Sequence, residues 1–227
     1  MNSDALAMDE LRGPIDDDVA TEPVVADILA VATREFAQHG LAGARIERIQ
    51  QQTRTSKRMI YYHFGSKEGL YRAVLENAFE AVRRADEGFN PQAGTPQQAL
   101  QQIASNAFEA FLRHPEFVRL LAFENLSGAP FIRESERVAR FNRRALADLQ
   151  AVLERGQRAG SIRMGLNPID VYINMVGLCF YHVAHHAGYR AAGFGHEENQ
   201  RIVSDEFHQQ RKRAIEESCW RYVKFCD

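Results

Sequence analysis

The residues best suited to chemistry are bases and aromatics that cluster between positions 57 and 67. Lys57, Arg58 and Tyr61 fall on one side of a helix, and Ile60 and Phe64 fall on the opposite side. The outward side carries no acid. Arginine and lysine bind phosphate, and arginine can pair bidentately with a guanine in the major groove of DNA. The pattern favours a DNA-binding helix, and the alternative is a basic face that is merely solvated.

Charge is distributed unevenly along the 227 residues, although the formal net charge is only −2. Residues 34–72 carry eight bases against three acids, a surplus of five positive charges in one short block. Residues 1–22 carry seven acids and a single base, Arg12. A basic block inside a nearly neutral chain predicts one local site for phosphates.

A second cluster, at residues 179–186, combines a cysteine with three histidines. His182 and His186 are four residues apart and share a helix face, as zinc ligands can. No third ligand is evident, because neither Cys179 nor a carboxylate is placed to complete the set. A nucleophilic Cys–His pair would need an orienting acid and an oxyanion hole, which nothing marks. We therefore predict no metal, no cofactor and no catalytic residue.

The elements that must position these residues are helical, because apolar residues recur at helical spacing along most of the chain. The sequence predicts an all-α fold with a three-helix, helix-turn-helix head and a larger helical domain. Residues 1–22 lack this periodicity and are expected to form a disordered acidic tail. The predicted head with its connecting fourth helix spans 23–87, a linker rich in proline and glycine spans 88–96, and the second domain spans 97–227.

A short helix, a tight turn and another short helix form the geometry of a helix-turn-helix. Ser56 is positioned to cap the second of these helices, and Ser66 is positioned to cap the next one. In the head, helices are predicted from Pro23 to Gly40 and over 45–52, 57–63 and 67–87. In the second domain, they are predicted over about 96–113, 116–127, 130–159, 168–188 and 197–225.

Residues 55–70 resemble the signature of the TetR family of transcriptional regulators. They read Thr-Ser-Lys-Arg-Met-Ile-Tyr-Tyr-His-Phe-Gly-Ser-Lys-Glu-Gly-Leu. The family places a serine before its recognition helix, then Leu-Tyr-Tyr-His-Phe, then Ser-Lys-Glu-x-Leu at the start of the fourth helix. The resemblance covers about residues 23–87, whereas beyond residue 90 only length and helical layout agree. Two departures are Ala44, where many members have a capping threonine or serine, and the turn 52–55, which lacks a common glycine.

The resemblance implies a role for each residue of the motif. Lys57, Arg58 and Met59 are expected at base edges or nearby phosphates, with Arg58 the first choice for direct readout. Lys67 is expected to hold a phosphate at the positive N-terminal end of the fourth helix. Tyr61 and Tyr62 have a structural alternative, since aromatics at helical spacing usually pack in a core. The full expected DNA-binding set is Arg45, Thr55, Ser56, Lys57, Arg58, Met59, Tyr61, Tyr62, His63 and Lys67.

The second domain is expected to dimerise and to bind a small molecule. In TetR-like proteins the last two long helices pair with those of a second copy, which here implies 168–188 and 197–225. The apolar set Val171, Met175, Leu178 and Tyr181 suits either that interface or the internal core. An effector pocket is expected among helices 96–127 and 168–188, although the phenylalanines there could simply be core. The expected ligand-binding residues are Phe108, Arg119, Phe123, Asn125, Tyr172, Phe180 and His182, with Phe111, Phe117 and Glu124 as further candidates.

Together these features predict a DNA-binding transcriptional regulator, a repressor that a small-molecule effector releases from its operator. A homodimer would match a palindromic operator, with one head for each half-site. Three widely spaced cysteines and the lack of a membrane span or secretory signal favour a cytoplasmic protein, located at the nucleoid when bound to DNA. The alternatives are a helical enzyme that uses His182, His186 and Glu124, and a dimerisation module that does not bind DNA.

Overall fold

The computed structural model of the protein describes residues 17–191 and 204–225. Within these residues every regular element is helical, apart from one isolated bridge between Ile162 and Lys224, which confirms the predicted all-α fold. Residues 1–16 of the predicted tail, residues 197–203 of the predicted last helix and Cys226 lie outside the described residues. No helix in the described part of the chain is long and apolar enough to cross a lipid bilayer.

The chain divides into two compact units, the first ending at Tyr71 and the second beginning at Arg72. The first unit has a buried core that includes Phe36, whose ring packs edge-on against Tyr71 at a centroid distance of 5.0 Å. Ile49 and Ile60 are buried in the same unit, as their spacing predicted. Its helices are α1 (Asp17–Gly43), α2 (Ile46–Gln52), α3 (Lys57–Phe64) and the first residues of α4 (Lys67–Arg83).

The second unit is built around α5, which packs against α8, α9 and α11. A short 3₁₀ turn, Arg84–Asp86, follows α4. Thr95 caps α5 in a reciprocal capping box with Gln98, and Pro96 occupies its first turn. The helices of this unit are α5 (Pro96–Arg113), α6 (Pro115–Leu126), α7 (Pro130–Glu134), α8 (Glu136–Arg158), α9 (Pro168–Ala184), α10 (His186–Ala191) and α11 (Asp205–Val223).

Several predicted helix boundaries differ from the structure. α4, predicted to extend to residue 87, ends at Arg83 before the 3₁₀ turn, and α11, predicted from residue 197, begins at Asp205 with Ser204 as its N-cap. α1 begins at Asp17 rather than Pro23. The helix predicted over 130–159 is two helices, because the Ser135 side chain accepts a hydrogen bond from the Val138 N–H and starts α8 anew. The helix predicted over 168–188 ends at Ala184, and α10 follows it. In α1, Gly40 has a φ of 63° and interrupts the helix at the position where the sequence predicted its end.

Candidate DNA interface and ligand cavity

The N-terminus of α2 is held by Glu35 of α1, a carboxylate that is only 5% exposed. Its Oε1 atom accepts hydrogen bonds from the Arg45 N–H at 2.9 Å and from Arg48 Nε at 2.7 Å. Arg45 occupies the N-cap, and its own side chain makes no capping bond. Glu35 therefore satisfies the Arg45 N–H that precedes α2, and it joins α2 to α1 through a partly buried ion pair with Arg48.

A capping serine begins each of the helices α3 and α4, and two glycines shape the corner between them. The Ser56 hydroxyl accepts a hydrogen bond from the Met59 N–H at 3.2 Å, and the Ser66 hydroxyl accepts one from the Gly69 N–H at 3.0 Å. Gly65 ends α3 with a φ of 74°. A Cβ atom on Gly69 would stand 2.0 Å from the Phe64 carbonyl oxygen. Only glycine allows α3 and α4 to meet this closely.

The outward face of α3 is exposed and carries the predicted DNA-binding side chains. Tyr62 is 77% exposed and Tyr61 is 38% exposed, so neither side chain is core. Lys57 Nζ lies 2.5 Å from Glu47 Oε1 of α2. Arg58 is exposed and makes no hydrogen bond or ion pair with the described residues. Among the remaining predicted contacts, Arg45, Ser56 and Met59 are exposed, whereas Thr55, His63 and Lys67 are half-buried.

The second unit contains a cavity of about 440 Å³, a volume within the range of small-molecule sites. Its wall is largely apolar and includes Phe79 and Val82 of α4, Phe111 of α5 and Phe117 of α6. Arg83, Asn142 and Tyr172 form a connected polar group in this wall. Arg83 Nη2 donates to Tyr172 Oη at 2.7 Å and to Asn142 Oδ1 at 3.3 Å.

Two family models match the chain. One, described as "Bacterial regulatory proteins, tetR family", matches residues 28–74. The other, described as "Tetracyclin repressor-like, C-terminal domain", matches residues 96–215, more than half of the chain. The chain belongs to the TetR family. It is therefore a DNA-binding transcriptional regulator, and the family is one of regulators rather than enzymes.

Individual relatives agree with this TetR-family assignment. The chain is 33% identical over 156 residues to the HTH-type transcriptional repressor NicS of Pseudomonas putida, which covers 69% of this chain and 74% of NicS. It is 31% identical over 150 residues to the HTH-type transcriptional regulator RutR of Escherichia coli, covering 63% of this chain and 64% of RutR.

Solved structures share the fold. A transcriptional regulator from Streptomyces coelicolor has 27% sequence identity and a TM-score of 0.65, over 88% of this chain and 98% of the other. FadR of Bacillus subtilis, solved in complex with stearoyl-CoA, has 16% identity and a TM-score of 0.61, over 86% of this chain and 96% of FadR. The FadR likeness shows the fold alone.

The residues predicted to bind the effector lie in different places in this TetR-family chain. Asn125 and Tyr172 line the cavity, as do Phe111 and Phe117. Phe108 is 1% exposed and packs against His182, at 5.2 Å between ring centroids, away from the cavity lining. Arg119 is exposed, Phe123 and Phe180 are half-buried, and none of the three is among the lining residues.

The histidines of the second unit form a cluster that a residue from α11 completes. The His182 ring centroid lies 6.5 Å from that of His186 and 5.6 Å from that of His208. Burial, followed by the charges of its neighbours, lowers the pKa of His182 to about 4. Within the described residues, no group of three or more histidine, cysteine or acidic side chains is arranged to hold a metal ion.

Glu124 and Cys179, which an enzyme would need as acid and nucleophile, are buried and committed elsewhere. Glu124 is 2% exposed, and its Oε2 atom accepts hydrogen bonds from the N–H groups of Phe131 and Ile132 at the start of α7. Burial raises the pKa of Cys179 to about 12, so this side chain is a thiol and not a nucleophilic thiolate at neutral pH. Both side chains stabilise the helical packing.

Sequence reasoning missed two residues that organise these sites, Glu35 and Arg83. Glu35 was visible only as an acid within a basic block, and its partners lie 10 and 13 residues further along the chain. Arg83 was assigned to the connecting helix, but its cavity partners lie 59 and 89 residues away. The available signal was a charge on the apolar side of a helix: Glu35 lies four residues after Val31, and Arg83 lies four residues after Phe79.

Proposed function

We propose that this chain is a repressor that binds a palindromic operator as a homodimer and leaves it when a small molecule fills the cavity. The observation that carries the proposal is the outward face of α3, which is exposed, free of acids and ready to bind DNA. Arg58 supports direct readout, since it has no partner among the described residues to give up. The relatives of this chain, NicS and RutR, are named as a repressor and a regulator of the same helix-turn-helix type.

The proposed contacts follow the position of each side chain. Lys57, Arg58 and Met59 stand at the N-terminal end of α3 and would reach base edges and nearby phosphates. Tyr61, Tyr62 and His63 would contact the sugar-phosphate backbone. Lys67 begins α4, where the positive helix end and its own charge attract a phosphate. Arg45, Thr55 and Ser56 complete the proposed interface on α2 and the turn.

The proposed homodimer interface lies on α9, together with α11. Ile173 and Tyr181 are 61% and 50% exposed on one face of α9. Between them lies Gly177, and no atom lies within 4 Å of the position that its Cβ would occupy. Exposed apolar side chains around a glycine favour close approach of a second helix. Val171 and Met175 are each 1% exposed, which places them in the internal core.

The proposed control of DNA binding passes through α4. This single helix contributes Lys67 to the first unit, and Phe79, Val82 and Arg83 to the cavity wall of the second. An effector that displaced α4 would move the two heads of the dimer away from the operator spacing of about 34–36 Å. Ligand and operator would then weaken each other's binding by the same factor. FadR, solved with stearoyl-CoA, shows that a protein of this fold can hold a small molecule.

Catalysis and a metal cofactor are not part of the proposal. Leaving them out is supported by the structural roles of Glu124 and Cys179 and by the low pKa of the buried His182. The proposed location is the cytoplasm, at the nucleoid when the operator is bound.

The test measures binding to a labelled duplex from the DNA upstream of the gene and to a scrambled duplex, by fluorescence anisotropy. Arg58→Ala is expected to weaken specific binding by about 1–3 kcal/mol and to affect the scrambled duplex less. Arg144→Ala is the matched control, because Arg144 is a 79% exposed arginine of α8 in the other unit. Equal losses on both duplexes would reduce Arg58 to a phosphate contact. Failure of the unmodified protein to prefer the upstream duplex would contradict the operator proposal.

A further inference from the structure

The polar side chains of the cavity include a guanidinium that is not satisfied by its neighbours. Arg83 is 18% exposed, and its Nε atom is buried without a hydrogen-bond partner among the described residues. Asp86, its ion-pair partner among the described residues, lies 3.5 Å from Nη1, a long distance for a charged pair. Burial opposes ionisation of Asp86 and raises its pKa. Arg83 is thus a charged group, largely removed from water, with weak neutralisation.

The neighbours of Arg83 present donors rather than acceptors to the cavity. Tyr172 Oη and Asn142 Oδ1 both accept from Arg83 Nη2. The remaining polar hydrogens of this group are the hydroxyl proton of Tyr172, the amide protons of Asn142, one proton on Arg83 Nη1 and the buried Arg83 Nε–H. No described residue accepts a hydrogen bond from the Tyr172 hydroxyl, the Asn142 amide or Arg83 Nε. A ligand group that only accepts hydrogen bonds would suit the Tyr172 hydroxyl, the Asn142 amide and the guanidinium edge.

The rest of the wall determines the body of the ligand. Phe79, Phe111 and Phe117 contribute aromatic rings, and the Phe79 and Phe117 rings pack edge-on at 5.0 Å. A second cation, Arg143, lines the cavity and pairs with Glu136 at the surface. The only acid in the lining, Asp86, already interacts with Arg83 and with the Asn106 side chain.

We infer that the effector is a small organic acid: a carboxylate held by Arg83, Tyr172 and Asn142, with an apolar or aromatic body packed against the phenylalanines. A carboxylate is acceptor-only and would add a closer negative charge than Asp86, which lies 3.5 Å from Arg83 Nη1. A neutral amide would bring donors to a group of donors, and an amine would meet Arg83 with a like charge. This inference rests on the proposed function, because it names the ligand class of the proposed effector cavity.

The experiment is calorimetric titration of the full chain, without DNA, using matched probes. The first set is 2-naphthoate, 2-naphthamide and 2-naphthylmethylamine, and the second is decanoate, decanamide and decylamine. At least one acid is expected to bind about tenfold or more tightly than its amide, and its amine is expected to bind weakest. Equal affinity of acid and amide, preference for an amine, or no binding of either acid at millimolar concentration would overturn the inference.

Variants assign the preference to Arg83. Arg83→Gln should remove the preference for acid over amide, whereas Arg84→Gln should keep it. Arg84 is the adjacent arginine, is 63% exposed, pairs with Glu80 and does not line the cavity. If Arg83→Gln does not fold, Tyr172→Phe serves instead and should weaken the acid several-fold more than the amide. A folded Arg83→Gln or Tyr172→Phe protein with an unchanged preference for the acid would contradict the assignment.

DNA binding, measured separately in the absence of the small-molecule probes, distinguishes the proposed ligand class from the proposed repressor function. In the unmodified protein, absence of an acid preference together with intact operator binding would overturn only the ligand class. Intact acid preference without operator binding would overturn only the proposed repressor function.

Discussion

At the scale of single residues, the two bases that begin α3 differ in what they bind before DNA arrives. Lys57 is paired with Glu47, and their hydrogen bond raises the pKa of the lysine and lowers the pKa of the carboxyl. Arg58 has no such partner among the described residues. Lys57 must therefore share or exchange a carboxylate to bind a phosphate, whereas Arg58 can bind DNA without breaking a contact.

Glu47→Gln is expected to strengthen DNA binding a few-fold at low salt, because it releases Lys57 and removes a negative charge beside α3. Binding to the upstream duplex at several salt concentrations measures the change. In a Lys57→Met background the gain should shrink to the part caused by the charge alone. A Glu47→Gln protein that binds DNA more weakly would show that Glu47 orients Lys57 rather than competing for it.

The residue scale also shows what the sequence could not predict. Lys57, Arg58 and Tyr61 were predicted on an outward face from helical spacing alone, and all three are exposed. Glu35 and Arg83 were missed because their partners come from other helices. A carboxylate that accepts from Arg45 and Arg48 becomes evident only when α1 and α2 are packed together.

At the scale of elements, the short distance between α3 and α4 depends on Gly69. Gly69→Ala is expected to reduce the free energy of unfolding by about 1–3 kcal/mol, because its Cβ would overlap the Phe64 carbonyl oxygen. The displacement of α3 should weaken DNA binding even where the protein is folded. Chemical denaturation and duplex binding measure the two effects.

The control for this change is Gly43→Ala in the same unit, where the nearest atom to a new Cβ is His39 Cβ at 3.4 Å. Gly43→Ala is expected to be neutral or to stabilise by up to about 1 kcal/mol. If the two alanines gave the same stability and the same DNA affinity, the close corner would not matter.

The histidine cluster joins α9, α10 and α11 and makes the second unit sensitive to acid. His182 is 4% exposed, and its pKa of about 4 in the folded state compares with an ordinary value of 6.5. His182 is faced by His208, Arg211 and His186, whose charges also lower its pKa. Burial and the charge of His186 lower the pKa of His208, whereas the charge of Asp205 raises it. Between pH 6.5 and 4 the unfolded chain therefore binds protons that the folded chain does not.

The free energy of unfolding is accordingly expected to fall as the pH is lowered from 6.5 to 4, with at most about 3 kcal/mol from His182. Denaturation at fixed protein concentration across this range measures the slope. His182→Gln should flatten it, and His114→Gln, at the junction of α5 and α6, should not. A slope that His182→Gln leaves unchanged would assign the acid sensitivity to other groups.

Helix boundaries were predictable where the local chemistry is strong. Thr95, Pro96 and Pro115 mark the ends of α5 and the start of α6, and both helices lie within one residue of their predicted bounds. The break at Ser135 has no proline or glycine. It depends partly on the hydrogen bond from the Ser135 hydroxyl to Glu76 of α4 at 2.5 Å, a partner 59 residues away that local sequence cannot reveal.

At the scale of the whole molecule, the proposed dimer predicts different effects for substitutions at a surface residue and at a core residue of α9. Ile173→Asp, at a 61% exposed position, is expected to give a folded monomer of 25.8 kDa. Met175→Asp, at a 1% exposed position, is expected to unfold the second unit, because it buries an unpaired charge. Sedimentation and circular dichroism measure the two outcomes. An unmodified protein that sediments as a monomer at micromolar concentration would contradict the dimer.

The family could be predicted because the motif at 55–70 is local and dense in information. The cavity could be anticipated only in part: Asn125 and Tyr172, two of the residues expected to bind an effector, line it, but its wall extends from Phe79 to Val176 and depends on how six helices pack. Helical periodicity marked Phe108 and Phe111 alike as inward-facing, but only the packed structure separates the core residue from the cavity residue.

The position of α11 also determines the order in which the protein can fold while it is being synthesised. α11 follows every other described element, yet it supplies Ile215, Cys219 and Val223 to the core and packs along α5, which leaves the ribosome about 90 residues earlier. The first unit ends at Tyr71 and can fold as soon as it emerges. A nascent chain therefore carries a finished DNA-binding head while the apolar side of α5 still waits for its last partner. In that interval the ribosome holds a chain whose first unit is complete and whose second unit still lacks one of its helices.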